Sequence, residues 1–300
     1  MSRALPPGAL LAFDDERPMA EALGRALDVP ALYVQRHRFP DGEVKLRLPA
    51  TLPESVVLLR SLHQPNEKLV ELLITAPAAR ELGARHLQLA CPYLAYMRQD
   101  IAFTPGEAVS QRHVAALLAS RFDRVVTVDP HLHRIASLDE VMPAGCGVAL
   151  TAAGVVGEWV ARHVERPLFL GPDEESAPWV AQAAQAVNPR ADHATCTKQR
   201  RGDREVEVVL PEGLDCRGRA VVLVDDVAST GRTLAVAARL ALQAGARSVD
   251  AAVTHGLFVG DALDSLHEAG IGRVWSTDCV PHPTNAISVV PLLARALRAR

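Results

Sequence analysis

Lysine is nearly absent from this chain, with three in 300 residues, at positions 45, 68 and 198. That scarcity excludes a Walker-type phosphate loop, which needs Gly-Lys-Ser/Thr, because none of the three sits in such a setting. Aromatic residues make up only 4% and are not interleaved with basic ones, which argues against a stacking surface for single-stranded nucleic acid. A formal net charge of -3 gives no general attraction to nucleic acid or to an anionic membrane. No apolar run reaches the roughly 20 residues of a membrane span. The segment "MSRALPPGALLAFDDERP" breaks its apolar run with proline and acids too early for a signal peptide. Five cysteines (91, 146, 196, 216 and 279) are odd in number, scattered, and lack any Cys-x-x-Cys pair. They argue against a disulfide framework and a structural zinc site, and the expected location is a reducing cytoplasm. What is present, 49% hydrophobic and 22% charged residues, is ordinary for a globular enzyme, with two medium domains the better expectation at this length.

Short β-branched runs alternate with Ala/Leu-rich segments of helical period. "SVVLLR" (55–60), "HLQLACPY" (86–93), "RVVTVD" (124–129), "PLFLGPD" (167–173), "AVVLVDD" (220–226) and "SVDAAVTHG" (248–256) read as buried parallel strands. "KLVELLITAPAAREL", "RHVAALLASRF", "TAAGVVGEWVARHV" and "LAVAARLALQAG" read as the helices between them, so the fold is α/β. Two stretches also match each other. Residues 56–96 and 221–258 both run strand, helix, Gly-Ala-Arg, strand, with Gly83-Ala84-Arg85 and Gly245-Ala246-Arg247 at the same turn. Gly-Ala-Arg is an ordinary helix exit as well, but the flanking patterns align too, so the chain reads as a duplication. Arg60-Ser61 stands in the first copy where the second has Asp225-Asp226. The boundary is expected near "MPAGCGVAL" (142–150), giving domains 1–145 and 146–300.

The segment "AVVLVDDVASTGRT" (220–233) runs an apolar strand into two acids, then into small and hydroxylated residues. Ligands of open parallel sheets bind beyond the carboxyl ends of strands. Ser229, Thr230, Gly231 and Thr233 form a tight turn whose backbone N–H groups, with the following helix N-terminus, suit a phosphate. Asp225 and Asp226 are acceptors only and suit vicinal sugar hydroxyls. The chemistry predicted is a pentose-phosphate clamp, with an ordinary capped strand-to-helix turn as the bland alternative.

This segment resembles the ribose-phosphate signature of type I phosphoribosyltransferases and of the ribose-phosphate pyrophosphokinase family. "RFPDGEVKLRLP" (38–49), "CPYLAYMRQD" (91–100), "TVDPHLHR" (127–134), "GPDEE" (171–175), "TKQRRGDREVEV" (197–208), "VTHGLF" (253–258) and "ISVVPLLARAL" (287–297) resemble further elements of the pyrophosphokinases, in order, over nearly the whole chain. Ordinary phosphoribosyltransferases have one such domain. The resemblance implies two tandem type I phosphoribosyltransferase-like domains, each a mostly parallel sheet flanked by helices. It also implies transfer of the β,γ-pyrophosphoryl group of ATP to the anomeric hydroxyl of ribose 5-phosphate, releasing AMP, with magnesium. The alternatives are a non-catalytic relative acting as a regulatory subunit, or a phosphoribosyltransferase consuming the product.

By that resemblance Phe39 packs on adenine while Asp41 and Glu43 read its amino edge, the element reaching into a neighbouring subunit of a homo-oligomer. Arg98 and Gln99 bind ATP, and Asp100 braces their loop. His131 ligates magnesium-ATP, with Asp129 as an orienting or water-mediated partner. Asp173 binds the ribose or a second magnesium, although Glu174 and Glu175 follow where the family usually has small residues. Asp225, Asp226, Ser229, Thr230, Gly231 and Thr233 hold ribose 5-phosphate. Lys198 and Arg200 lie in a polar stretch read as a mobile loop that closes on the transferred group. No nucleic acid or membrane partner is expected.

Overall fold

The computed structural model describes residues 5–201 and 205–298, with the side chains of 198–201 and 205–207 outside that description. Two compact units emerge, one of residues up to Leu150 together with those from Val289, the other Thr151–Ser288.

In the first unit β1 (Ala9–Phe13), β2 (Ala31–Arg38), β3 (Val44–Arg47), β4 (Ser55–Leu59), β5 (His86–Cys91), β6 (Arg124–Val128) and β7 (Gly147–Leu150) form one sheet in the order β3-β2-β1-β4-β5-β6-β7. All neighbours pair in parallel except β2 and β3, which form an antiparallel hairpin at the edge. β1 and β4 are buried at every residue, as central parallel strands covered on both faces must be. Helix α1 (Arg17–Leu27) buries Ala20, Leu23, Gly24 and Leu27, the stripe that a 3.6-residue period puts on one face. It stops at Asp28, whose left-handed backbone (φ 61°) closes the last turn. Helix α2 (Pro65–Glu81) starts on Pro65, whose missing N–H is one a first turn leaves unpaired anyway. Helix α3 (Ser110–Ala119) completes the α-β alternation.

The second unit holds α4 (Ala153–His163), β8 (Leu168–Gly171), α5 (Ala177–Val187), β9 (His193–Thr195), β10 (Thr197–Arg201), β11 (Glu205–Val209), β12 (Ala220–Ala228), α6 (Arg232–Gln243), β13 (Ser248–Gly256), α7 (Ala262–Glu268), β14 (Ile271–Thr277) and β15 (Asn285–Ile287). Its main sheet is wholly parallel in the order β9-β8-β12-β13-β14-β15. Gly157 lets α4 and α5 pack closely, because a Cβ there would overlap the backbone of Ala183.

The two sheets have one connectivity. Laying β2-β1-β4-β5-β6-β7 on β9-β8-β12-β13-β14-β15 pairs every parallel strand of one with a strand of the other. β4 therefore corresponds to β12, and the end of β1 to the end of β8. Two details differ from the sequence expectation. The boundary lies after Leu150, at the end of the expected stretch 142–150 instead of after residue 145, because β7 pairs with β6, and the C-terminal helix α8 (Val290–Arg298) packs with the first unit, through α1, β5 and β6. No helix among the described residues is long and apolar enough to cross a membrane.

Candidate active site

Strand β12 stays in register with β13 through Ala228, so it carries Asp225 and Asp226 inside the ladder instead of ending before them. Alternation along a strand sends the two side chains to opposite faces, matching half-buried Asp225 and buried Asp226. A ligand lying across the carboxyl edge, not on one face, is what both can reach. The Asp226 N–H donates to the Asp225 carboxylate at 3.0 Å. Asp173 follows β8, the strand beside β12; its carboxylate accepts the Glu175 N–H at 3.2 Å and so caps the short 3-10 turn Glu174–Ser176. Burial first, then the charges of Asp226 and Asp173, hold the Asp225 carboxyl well above the ordinary carboxylate range. This edge concentrates negative charge that favours a hydroxyl donor or a cation.

Behind it the chain turns through half-buried Ser229 and exposed Thr230 to Gly231, whose left-handed φ of 70° starts α6. A Cβ at Gly231 would also press on Leu266 at 3.1 Å. With glycine as N-cap, no side chain caps α6, so its first-turn N–H groups and partial positive charge face the turn. Acids at the strand end and an uncapped helix N-terminus one turn away form a cradle with an acceptor end and a donor end.

The same place in the first unit is filled from within. Arg60, at the end of β4, is fully buried; its Nη1 donates to Asp15 at 2.8 and 2.9 Å, its Nη2 to Glu71, and it lies 4.4 Å over the Phe13 ring. Glu16, beyond the end of β1, accepts the Ser61 N–H at 2.6 Å, and Lys68 donates to the Ser61 carbonyl at 2.7 Å. Burial raises the Glu16 carboxyl to about 7 despite Arg60 and Lys68. Burial, then Lys68 and Arg60, lower His63 to about 4. Thus a carboxylate and an ammonium of the chain itself satisfy the turn that in the second unit is open to a ligand. Sequence reading flagged Arg60-Ser61 as the divergent pair but missed Glu16, Lys68 and Glu71, which fall in unrelated segments.

The hairpin between β2 and β3 exposes Phe39, Asp41 and Glu43 together. It is closed by Phe39 N–H to the Glu43 carbonyl at 2.8 Å, by Gly42 at φ 95°, and by Glu43 N–H to the Asp41 carboxylate at 3.1 Å. Asp41 therefore shapes the turn, and His37 meets the Phe39 ring edge-on at 4.8 Å. After β5, Arg98 is exposed, whereas the Gln99 amide oxygen accepts the Ser110 hydroxyl at 2.6 Å, which makes Gln99 a brace as well as a candidate ligand. After β6, Asp129 is buried with a left-handed φ of 37°, and the rings of His131 and His133 meet edge-on at 3.8 Å. Arg134 pairs with Asp100 at 3.4 Å, tying the Arg98 loop to the His131 loop.

Lys198 and Arg200 have backbone on β10, in an antiparallel ladder with β11; their side chains lie outside the described residues. Within the stretch read as a mobile loop, Thr197–Arg201 and Glu205–Val209 thus pair as strands, in keeping with the period-two alternation of "EVEVV" (205–209). No group of three or more His, Cys, Asp or Glu side chains among the described residues is arranged to hold a metal ion.

Family profiles match both halves: one described as the N-terminal domain of ribose phosphate pyrophosphokinase covers residues 9–121, and one described as a phosphoribosyl transferase domain covers 151–267. A ribose-phosphate pyrophosphokinase of Methanopyrus kandleri is 36% identical over 291 residues, spanning 96% of this chain and 98% of its own. The chain belongs to the ribose-phosphate pyrophosphokinase family. The relative from Saccharolobus solfataricus is 33% identical over 87% of this chain and 89% of its own. The crystal structure of phosphoribosylpyrophosphate synthetase from Mycobacterium smegmatis superposes with a TM-score of 0.83 at 27% identity, covering 97% of this chain and 98% of that one. Membership agrees with two phosphoribosyltransferase-like units of one connectivity, of which one keeps an open acidic cradle.

Proposed function

We propose that the chain is a ribose-phosphate pyrophosphokinase, moving the β,γ-pyrophosphoryl group of ATP onto the anomeric hydroxyl of ribose 5-phosphate and releasing AMP. The observation that carries the reading is the contrast between the two strand ends. One is neutralised internally by Arg60 and Lys68, whereas at the other burial and like charge raise the Asp225 carboxyl well above its ordinary value. Asp225 and Asp226 accept the ribose hydroxyls, and the turn Ser229, Thr230, Gly231 and Thr233 with the α6 N-terminus takes the 5-phosphate. Phe39, Asp41 and Glu43 receive adenine, and Arg98, Gln99 and His131 bind the triphosphate. Lys198 and Arg200 place positive charge on the transferred group, where stabilisation belongs to the transition state. The acceptor hydroxyl attacks the β-phosphorus as AMP departs.

Magnesium fits a donor set dominated by carboxylates; it neutralises phosphate charge when bound. Asp129, His131 and Asp173 are the residues that would hold it, with substrate oxygens and water completing each shell. A homo-oligomer follows from an adenine element, centred on exposed Phe39, that serves a neighbouring subunit's site. A cytoplasmic enzyme is the matching location.

The test is turnover of ATP and ribose 5-phosphate by the purified protein with magnesium, reading AMP and phosphoribosyl pyrophosphate in equal amounts. Chelation should stop it. ATP consumption that yields ADP, or none at all with both substrates bound, would remove this reading in favour of a different kinase or of a non-catalytic subunit.

A further inference from the structure

The hairpin that carries Phe39, Asp41 and Glu43 belongs to its sheet only at its root. β2 pairs with β1 as far as Val34, and from Gln35 to Arg38 its strand partner among the described residues is β3. A ribbon of two strands is marginally stable at best by itself. A contact outside the sheet must therefore fix the direction in which the ribbon points.

Helix α2 makes that contact with two ion pairs. Arg36 and Arg38, two apart on β2, share one face of the strand, and Glu67 and Glu71, four apart, share one face of the helix. Two residues along a strand cover about 6.7 Å. Four along a helix cover about 6 Å, so the two rows meet in step. Arg38 Nη2 donates to Glu67, and Arg36 Nη1 donates to Glu71. The outer pair is exposed at both partners and holds little. The inner pair is built into the unit. Glu71 is buried, and its second carboxylate oxygen accepts Nη2 of fully buried Arg60. Arg60 Nη1 donates to both oxygens of Asp15, and the Asp15 carboxylate lies 3.9 Å from Arg36 Nη2. Arg36 thus sits between two carboxylates that Arg60 holds in place. The charges filling the first-unit cradle run on, without a break, to the base of the hairpin.

We propose that this filled cradle is the anchor of the hairpin, and that Arg36 and Glu71 are positioning residues that present Phe39, Asp41 and Glu43 to adenine in one orientation. Neither acts on the nucleotide directly; together they spare it the cost of ordering the ribbon on binding. The inference rests on the reading of that hairpin as the adenine element.

The test measures affinity for ATP with magnesium, and separately for ribose 5-phosphate, by titration calorimetry on the full chain. Glu71→Gln should weaken ATP binding about tenfold, the order of a lost preorganisation, and leave ribose 5-phosphate unchanged. Charge alone predicts the opposite sign, because removing a carboxylate favours an anion. Arg36→Met should weaken ATP binding to a similar extent and Arg36→Lys by less. Hydrogen exchange should quicken at the amides of residues 35–47 in Arg36→Met, with β1 and β4 unaffected. Because Glu71→Gln also loosens buried Arg60, it is read only where its melt shows a folded chain. Arg36→Met carries the test otherwise, its side chain being 31% exposed on the edge hairpin. Phe39→Ala separates this inference from the reading beneath it. If Phe39→Ala weakens ATP binding and Arg36→Met does not, the anchor is refuted while the adenine element stands. If Phe39→Ala binds ATP as wild type does, the adenine element falls and the anchor with it. Equal losses for ATP and ribose 5-phosphate, or unchanged exchange in the ribbon, would also overturn the proposal.

Discussion

Asp225 holds its proton more tightly in the native state than in the unfolded chain, because burial and two neighbouring carboxylates disfavour its charge. A carboxyl raised in this way makes the fold less stable as pH climbs from the ordinary carboxylate value of 3.8 toward the native one. Asp225→Asn should therefore raise the melting temperature of the ligand-free protein at neutral pH, with the gain fading near pH 4. The same change should weaken ribose 5-phosphate binding by at least about tenfold, since an amide NH₂ replaces one of the two carboxyl oxygens that accept from the sugar hydroxyls. Calorimetric melts across pH, beside a binding titration, check both; a variant that binds normally would detach Asp225 from the sugar. Lys198→Ala should behave differently. Turnover should fall by about 10²–10³, the effect of one transition-state donor, with both Michaelis constants nearly unchanged. A rise confined to the Michaelis constants would make Lys198 a binding residue. The strand-end pair Asp225-Asp226 was legible as a candidate because it sits in one compact motif. The Arg60 cluster was not: its carboxylates lie 11 to 45 residues away and meet only through the fold.

Strand ends and turns gave mixed returns. Strands β4, β5, β6 and β13 coincide with the apolar runs read from sequence, since a buried parallel strand leaves a plain signature. β12 runs on to Ala228 against an expectation that the acids end it, because backbone pairing with β13 outweighs side-chain polarity. Strands β2, β3, β9, β14 and β15 lack such runs, being short, near an edge or half exposed. At the turn into α6, Gly231→Ala should cost about 1–2 kcal/mol, combining a left-handed φ with contact against Leu266, and should raise the Michaelis constant for ribose 5-phosphate. Alanine tolerated at both levels would mean that the turn is not held as described. In the first unit Glu16→Gln mimics the protonated carboxyl. Since the Glu16 carboxyl is raised from 4.5 to about 7, the wild-type fold loses stability as pH climbs between those values and the loss is constant above them. The variant should match wild type near pH 4 and be more stable at pH 8, by an amount of the order of 1–3 kcal/mol. A stability difference independent of pH would show that Glu16 does not titrate in this range.

The whole chain is two copies of one parallel sheet that have diverged at one equivalent edge. Duplication was visible from matched turns and strands, and the shared strand order gives it a structural basis. The C-terminal helix escaped that reading, because an amphipathic helix announces a buried face without saying which sheet receives it; Leu293 and Leu297 settle on the first unit. If divergence filled one cradle and left the other open, each chain binds a single ribose 5-phosphate. The most direct measurement is the stoichiometry of ribose 5-phosphate binding, by titration calorimetry, to wild type and to Asp225→Asn with Asp226→Asn. The account predicts one sugar phosphate per wild-type chain and loss of measurable binding in the double variant, with the fold intact by its melt. One site of undiminished affinity in the double variant, or two sites in wild type, would contradict it.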